Sequence, residues 1–361
     1  MDESKRKRVT RVGSGAYSVY LPKKWIEAWP PEQQIDRAID LHHIGHSILV
    51  VPVLEERRFD ASLPDQRAEV EDSLVSAYVR GCNTVVLTAD SSFSNDVITA
   101  ARQLLRHLDE RIVATVSKDE IGYTLDPSRP PPFTSGADIL ALMVAKLREV
   151  LALAAEAVDA HTDDPERAIH CIQLCHAVHR EDVGRLLHQT LRMVATVELP
   201  IATVTDFQLL DLLAAAFFGA SSQAIRVANA VLSDLGIPRD QLDHPRELLL
   251  AKVQAETPSP LARAILRTYR KPFDGMKEIL PKLQDAIAKA DMKALRAHVE
   301  SLDLAAEALQ ARVLEQVAMH WGTSTDGRSF AAYRMMHPVL EILATLARAC
   351  RHAITLRAAE K

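Results

Sequence analysis

The chain has 361 residues, 48% of them hydrophobic and 5% aromatic, and its formal net charge at pH 7 is −5. Its length predicts two or three domains, and its hydrophobic content is sufficient for a packed core. No apolar run reaches the roughly 18–20 residues of a membrane-spanning helix, and no apolar segment follows the charged start. We therefore expect a cytoplasmic protein with neither membrane insertion nor a signal peptide. The chain has four cysteines, too few for a disulfide framework at this length.

The positive charges are concentrated near the start of the chain. Seven basic side chains lie within the first 24 residues: Lys5, Arg6, Lys7, Arg8, Arg11, Lys23 and Lys24. Only Asp2 and Glu3 oppose them there. The rest of the chain must then carry a charge of about −10, and such clustering of basic residues is typical of a nucleic-acid-binding surface.

Alternating apolar and polar residues predict four short strands in the same segment. They are centred on Val9–Val12, Ser18–Leu21, Ala38–Leu41 and Ile48–Val51. Glycine-containing turns separate the first from the second and the third from the fourth. Four short strands bury too little apolar surface to be stable alone, so we expect this head to pair with a second copy.

The order of these strands and turns resembles the SpoVT/AbrB-type swapped-hairpin domain. The resemblance rests on Arg8–Gly13, on Ser18–Trp25 and on Ile48–Pro52, and it departs from the family at Trp29–Gln34. In that family two chains interleave their hairpins and basic residues face DNA. The resemblance therefore implies a homodimeric DNA-binding domain over residues 1–54, with the seven basic residues named above as its DNA contacts.

Residues 55–133 predict a small α/β domain that ends in a proline-rich linker. Helices are expected over Asp72–Tyr78, closed by Gly81, and after the capping residue Ser94. Strands are expected near 84–87, 111–116 and 121–125. No glycine-rich phosphate-binding motif is present in the sequence, so nothing in it favours nucleotide binding.

Residues 134–361 have helical periodicity throughout and form two similar halves, at about 135–236 and 258–361. Each half predicts three helices. The boundaries include Asp164-Pro165, an N-cap followed by a first-turn proline, and Gly236-Ile237-Pro238, which ends the first half. Pro272 and Pro281 are expected to kink or split the first helix of the second half. The fold class expected for the whole chain is multidomain and mainly α, with a β head, a small α/β unit and a six-helix body.

The helical body resembles the PhoU family of phosphate-response regulators, which contain two three-helix repeats. The resemblance rests on Ala177–Leu186 and on Ala224–Val231. Many members bind iron or zinc through acidic pairs four residues apart. The corresponding positions here carry side chains that cannot ligate those metals: Arg180, Gly184, Phe218, Ser222, Ala306, Gln310, Ala347 and Arg351. We therefore expect no metal and no other cofactor.

Other groups of potential ligands remain open at this point. Cys171, Cys175 and His179 are spaced four apart on a predicted helix and could bind a soft metal. They are more simply interpreted as part of an apolar face with Leu174 and Val178. Asp303 and Glu307 are four apart and are expected to be solvated. Neighbouring histidines at 42, 43 and 46 are likewise interpreted as surface side chains.

No arrangement of residues predicts catalysis, and Ser221-Ser222 lacks the context of a nucleophile elbow. The expectation is therefore not an enzyme but a dimeric transcriptional regulator of phosphate uptake. Its head would bind DNA and its body would sense a phosphate ABC transporter or a sensor kinase. One alternative is a signalling adaptor that contacts the transporter or a histidine kinase without binding DNA. Another is an antitoxin-like protein.

Overall fold

The computed structural model describes residues 57–89, 91–133, 135–161, 163–196, 204–242, 244–250, 253, 260–319 and 333–358, together with the backbone of four strands between residues 10 and 52. The contacts of the chain divide it into two compact units, Met1–Arg57 and Arg58–Lys361. Most of the described residues are helical, so the protein is mainly α and multidomain.

The described part of the first unit consists of two antiparallel strand pairs. Arg11 of the first strand lies opposite Tyr17 of the second, and Ile39 of the third lies opposite Pro52 of the fourth. The second strand starts two residues earlier than the sequence pattern predicts, and residues 19–21 lie outside the described part. The strands are β1 (Thr10–Val12), β2 (Ala16–Ser18), β3 (Ile39–Ile44) and β4 (Ser47–Pro52).

The second unit begins with a four-stranded mixed sheet in the order β5-β6-β8-β7. The first two strands are parallel, as the helix between them requires, and the other pairs are antiparallel. The strands are β5 (Arg58–Leu63), β6 (Thr84–Ala89), β7 (Ile112–Val116) and β8 (Glu120–Leu125). The helices that follow β5 and β6 are α1 (Arg67–Val79) and α2 (Asn95–Leu108).

Both helices pack on one face of the sheet, where Val85, Leu87, Ile121 and Tyr123 are buried among them. Strand β5 was not expected from the sequence. Its residues alternate, with Phe59, Ala61 and Leu63 against this core and polar residues exposed between them. The alternation was present in the sequence, but the charged residues that begin the strand obscured it.

Several local signals in the sequence are confirmed at the ends of helices. The hydroxyl of Ser94 accepts a hydrogen bond from the N–H of Val97, and the carboxylate of Asp164 accepts one from Arg167. Gly81 and Gly236 have φ values of 87° and 77°, which glycine adopts without steric cost after a helix.

The remaining long helices form a body with a single continuous hydrophobic core. A six-residue π-helical turn, Val178–Val183, separates α4 from α5. The helices are α3 (Gly136–Ala160), α4 (Pro165–Ala177), α5 (Gly184–Thr196), α6 (Val204–Asp234), α7 (Arg246–Leu250), α8 (Pro260–Ala288), α9 (Met292–Met319) and α10 (Met336–Ala358).

The long helices contact one another in two sets of three. In the first set, α3 and α6 pack together and both contact the segment from α4 to α5; in the second, α8, α9 and α10 pack together. The sets join where α3 meets α8 and where α6 meets α10. The first helix of one set thus packs on the first of the other, and the third on the third.

Helix α8 passes through both Pro272 and Pro281 without a break. The expectation that these residues split the helix is wrong. Each proline removes one backbone donor, but buried side chains on either side, including Phe273, Met276, Leu280 and Leu283, hold the helix in the core.

One described helical stretch, Gln208–Asp234 of α6, is long and apolar enough by length and composition to cross a membrane. Half of its most apolar part is buried against the other helices. A helix at the centre of a bundle has the same composition, so this stretch is weak evidence for a membrane span.

Candidate functional site

The basic residues expected to contact DNA lie almost entirely outside the described residues. Arg11 is the exception, because its backbone lies at the centre of β1. The others are Lys5, Arg6, Lys7, Arg8, Lys23 and Lys24. His42 and His43 lie within β3, opposite Leu49 and Ile48.

A second candidate site lies in the helical body, where the second helix of the first set becomes π-helical. The N–H of Gly184 donates to the carbonyl of His179, five residues earlier, which defines the wider turn. Single π-helical turns inside α-helices occur frequently at functional sites.

Two histidines at this turn contact α6. The His179 ring stacks on Phe218, with centroids 5.2 Å apart and planes at 28°, and its Nδ1 lies 2.8 Å from the Ser221 hydroxyl. One turn earlier, His176 Nε2 lies 2.7 Å from the Asn229 side-chain oxygen. Ser221 is fully buried. The His179–Ser221 pair therefore holds two helices together and offers no accessible nucleophile.

The opposite side of the turn carries a charged network with α3. Lys146 Nζ lies 2.8 Å from Asp182 and 2.9 Å from Glu149, and Arg185 also reaches Asp182, at 3.1 Å. The hydrogen bonds that Lys146 donates to Asp182 and Glu149 raise its pKa. The π-helical turn is thus held by a hydrogen-bonded imidazole on one side and ion pairs on the other.

The partly buried position of His179 makes stability depend on pH. Burial, with the neighbouring His176 as a second cause, lowers the pKa of His179 to about 4. Burial also lowers the pKa of His188. In the unfolded chain a histidine has a pKa of about 6.5, so between these values the unfolded state binds more protons. The stability that these histidines contribute is therefore fully present above about pH 6.5, and it is lost as the pH falls towards 4.

We expect His179→Asn to reduce the loss of stability at low pH, because the variant lacks the imidazole that causes part of that loss. Asparagine keeps a polar atom near Ser221 but does not titrate in this range. Urea unfolding followed by circular dichroism at pH 7.5 and 4.5 should show a loss about 1–2 kcal/mol smaller in the variant than in the wild type. The exposed His352→Asn serves as control and should behave as the wild type does. An unchanged pH dependence in His179→Asn would contradict the assignment.

Cys171 and Cys175 belong to the hydrophobic core, in agreement with the simpler interpretation of their spacing. Burial, reinforced by Glu156, raises the pKa of the Cys171 thiol to about 11, and burial also raises that of Cys175. Both thiols are therefore protonated at neutral pH, unlike metal-bound thiolates. The prediction for Leu174 is wrong: it is 40% exposed, because it points away from the core between the two cysteines.

Three of the residues expected to stand in place of acidic metal ligands make other contacts. Phe218 stacks on His179, and the hydroxyl of Ser222 donates to the Phe218 carbonyl at 2.9 Å. Arg351 of α10 donates to both carboxylate oxygens of Asp303 on α9, at 2.8 and 2.5 Å. Asp303 is therefore ion-paired and not simply solvated. Among the described residues, no group of three or more His, Cys, Asp or Glu is placed to hold a metal ion.

Helix α5, which starts at the π-helical turn, also joins the body to the α/β layer. Arg192 is only 1% exposed, and its guanidinium donates to the carbonyls of Tyr78 and Cys82 at 3.0 Å and to the Asn83 side chain at 2.7 Å. It also lies 5.0 Å from the centroid of the Tyr78 ring. One turn earlier, Gln189 donates to the Leu108 carbonyl at 2.9 Å.

A buried network on the other side of Tyr78 supports this junction. The Tyr78 hydroxyl donates to Asp109 at 2.6 Å, and Arg111 pairs with the same carboxylate at 2.9 Å. Burial by itself would raise the pKa of Asp109. The hydrogen bonds that its carboxylate accepts from Arg111 and Tyr78 outweigh burial and hold the pKa below its usual value. The layer and the body are therefore connected by buried polar side chains that hydrogen-bond across the junction.

No protein-family model matches the sequence, and no curated protein matches it.

The polar contacts of this site were not predicted from the sequence. The sequence did contain an indication that Arg192 is buried or paired. It is a single cation among the apolar residues Leu191, Met193 and Val194, in a helix with an apolar face. A charged residue in such a run is either exposed or paired when buried. Nothing local predicted the partners of His176 and His179 or the contact of Lys146 with Asp182, since those partners lie on other segments of the body.

Proposed function

We propose that the protein is a dimeric DNA-binding transcriptional regulator of phosphate uptake. The observation that carries the proposal is the first unit of the chain. It contains two antiparallel hairpins, and the most basic segment of the sequence leads into the first of them. Arg11 lies within the first of these hairpins. A basic two-stranded ribbon is one of the elements that enter the major groove of DNA.

The packing of the helices supports a PhoU-like role for the body. Two sets of three helices, joined first helix to first and third to third, are what a duplicated three-helix unit would form. The sequence resemblance lies in the second and third helices of the first set, next to the π-helical turn. We infer that the body responds to a phosphate transporter or a sensor kinase through contact with that protein.

DNA binding by the full-length protein tests the proposal. Duplexes selected from a random pool, measured by fluorescence anisotropy at 50 mM salt, should bind the wild type. Arg8→Ala or Arg11→Ala should cost about 1–3 kcal/mol and relax the sequence preference, because arginine at the strand can contact guanine edges through two hydrogen bonds. Lys5→Ala should weaken all sequences alike.

Arg226→Ala is the matched control, because this arginine is exposed on α6 of the body. It should leave affinity and preference unchanged. If the wild type binds no duplex under these conditions, the regulator proposal fails and a signalling adaptor that contacts the transporter or a histidine kinase takes its place.

We also expect dimerisation through the first unit. Its short strands expose edges that a second copy would pair, which would satisfy the backbone and bury apolar side chains. Removal of residues 1–53 should therefore convert a dimer into a species that is monomeric or weakly associated. Sedimentation velocity of the full-length and truncated proteins measures the change. A truncated protein that remains a tight dimer would place the interface in the second unit instead.

A further inference from the structure

A cavity of about 160 Å³ opens between α8, α9 and α10, far along the chain from the hairpins. Its inner wall is apolar and includes Met276, Leu302, Leu309 and Leu343, all of which are buried. Small residues of α8 and α9 are among those that line it, so the two helices leave space that larger side chains would fill. A pocket of this volume accommodates a body the size of a benzene ring or a short acyl chain.

The charges at this cavity all have one sign. Lys271 of α8 and Arg312 of α9 are its charged lining residues, and no carboxylate is among the described residues that line it. Both are exposed, and neither forms an ion pair or side-chain hydrogen bond with the part of the chain that the structure describes. Two cations from different helices thus flank an apolar cavity without acidic neighbours in its wall.

A larger cleft of about 450 Å³ lies between α3, α4 and α8, and its charged residues are arranged differently. Its cations are paired with carboxylates of the same cleft: Arg167 with Glu156 at 2.7 Å, Lys277 with Asp274 at 2.6 Å, and Arg270 with Asp159 at 3.8 Å. The positive charge in that cleft is already neutralised by the protein. At the smaller cavity it remains available to a ligand.

We propose that the cavity between α8, α9 and α10 binds a small amphipathic anion. The apolar body of the ligand fills the space above Leu302 and Leu309, and its carboxylate or phosphate head lies between Lys271 and Arg312. A guanidinium binds either head through two hydrogen bonds, and an ammonium adds a compact charge. The proposal does not depend on DNA binding, because the cavity belongs to the second unit alone.

Gly275 provides a direct way to fill the cavity. It lies inside α8 and lines the cavity, and a Cβ atom built on it meets no other atom within 4 Å. Glycine is unfavourable in the interior of a helix. A leucine at this position would therefore occupy the open space while favouring the helix, so the variant is expected to fold.

Titration calorimetry of the full-length protein tests the proposal with four probes of the same chain length. Octanoate and octyl phosphate should each bind with a Kd on the order of 0.1–1 mM, as expected for ligands of about ten heavy atoms or a few more. The comparison of these two shows which head the cations prefer. Octan-1-ol and octylammonium should bind at least tenfold more weakly, because they lack the negative charge.

Two variants should each lower the affinity for octanoate at least tenfold: Gly275→Leu, which fills the cavity, and Lys271→Ala with Arg312→Ala, which removes its charge. The control is Lys282→Ala with Arg296→Ala, which removes the same charge from exposed positions on the same helices outside the cavity. The control should bind as the wild type does. Octanoate binding that survives in both test variants, octylammonium binding as tight as octanoate binding, or no binding of either anion at about 5 mM would overturn the proposal.

Discussion

Raising the salt concentration from 50 to 200 mM is expected to weaken the binding of duplex DNA by roughly 10³–10⁵-fold. A dimer would bring two copies of the seven basic residues at the start of the chain to one surface, about fourteen cations in all. If about six to ten of them contact phosphates, binding releases a similar number of counterions, and the affinity falls steeply with salt. Anisotropy titrations at four salt concentrations give the slope.

Lys5→Ala should reduce this slope, because each lost phosphate contact lowers its magnitude by about 0.9 and a dimer loses two. Arg226→Ala on the body should leave the slope unchanged. A slope near zero in the wild type would show that any binding does not depend on the basic segment, which would remove the electrostatic basis of the regulator proposal.

Arg192→Met is expected to destabilise the second unit by about 3–5 kcal/mol. Methionine keeps much of the volume of the side chain but donates no hydrogen bond. The carbonyls of Tyr78 and Cys82 and the side chain of Asn83 then lose the donor that they share in the interface. Urea unfolding followed by circular dichroism measures the change. The α/β layer should also exchange its amide hydrogens faster, since this residue joins it to the body.

Arg226→Met is the matched control for the same substitution at an exposed position of a helix. It should change the free energy of unfolding by no more than about 0.5 kcal/mol. If Arg192→Met has an equally small effect, the hydrogen bonds of Arg192 do not contribute measurably to stability and the junction is held by apolar contacts alone.

Local patterns predicted most helices well because their signals lie within a few residues. Ser94 and Asp164 cap helices as expected, and Gly81 and Gly236 adopt the positive φ expected after a helix. The alternation of apolar residues likewise predicted three strands of the first unit to within a few residues, while the second starts two residues earlier than predicted. These features depend on backbone conformation and on short-range hydrogen bonds, which the identities of adjacent residues determine.

Predictions that depended on distant contacts were less successful. Strand β5 was missed, because its alternation identifies a strand only once β6 pairs with it and the core covers the face of Phe59, Ala61 and Leu63. The prolines of α8 were expected to kink or split the helix, and the surrounding core keeps it continuous. In both cases tertiary packing outweighed the local preference.

Residue patterns were enough to predict the mainly helical composition, the approximate positions of most strands and helix ends, and the concentration of positive charge at the start of the chain. They did not predict that His179 meets Ser221 and Phe218, that Arg192 reaches the α/β layer, or that Lys271 and Arg312 flank one cavity, because these contacts arise from packing between distant segments. The physical reason is that helix and strand periods arise from neighbouring residues. The environment of a polar side chain, in contrast, is set by whichever helix packs beside it, and those partners lie about 40 to 110 residues away in the chain.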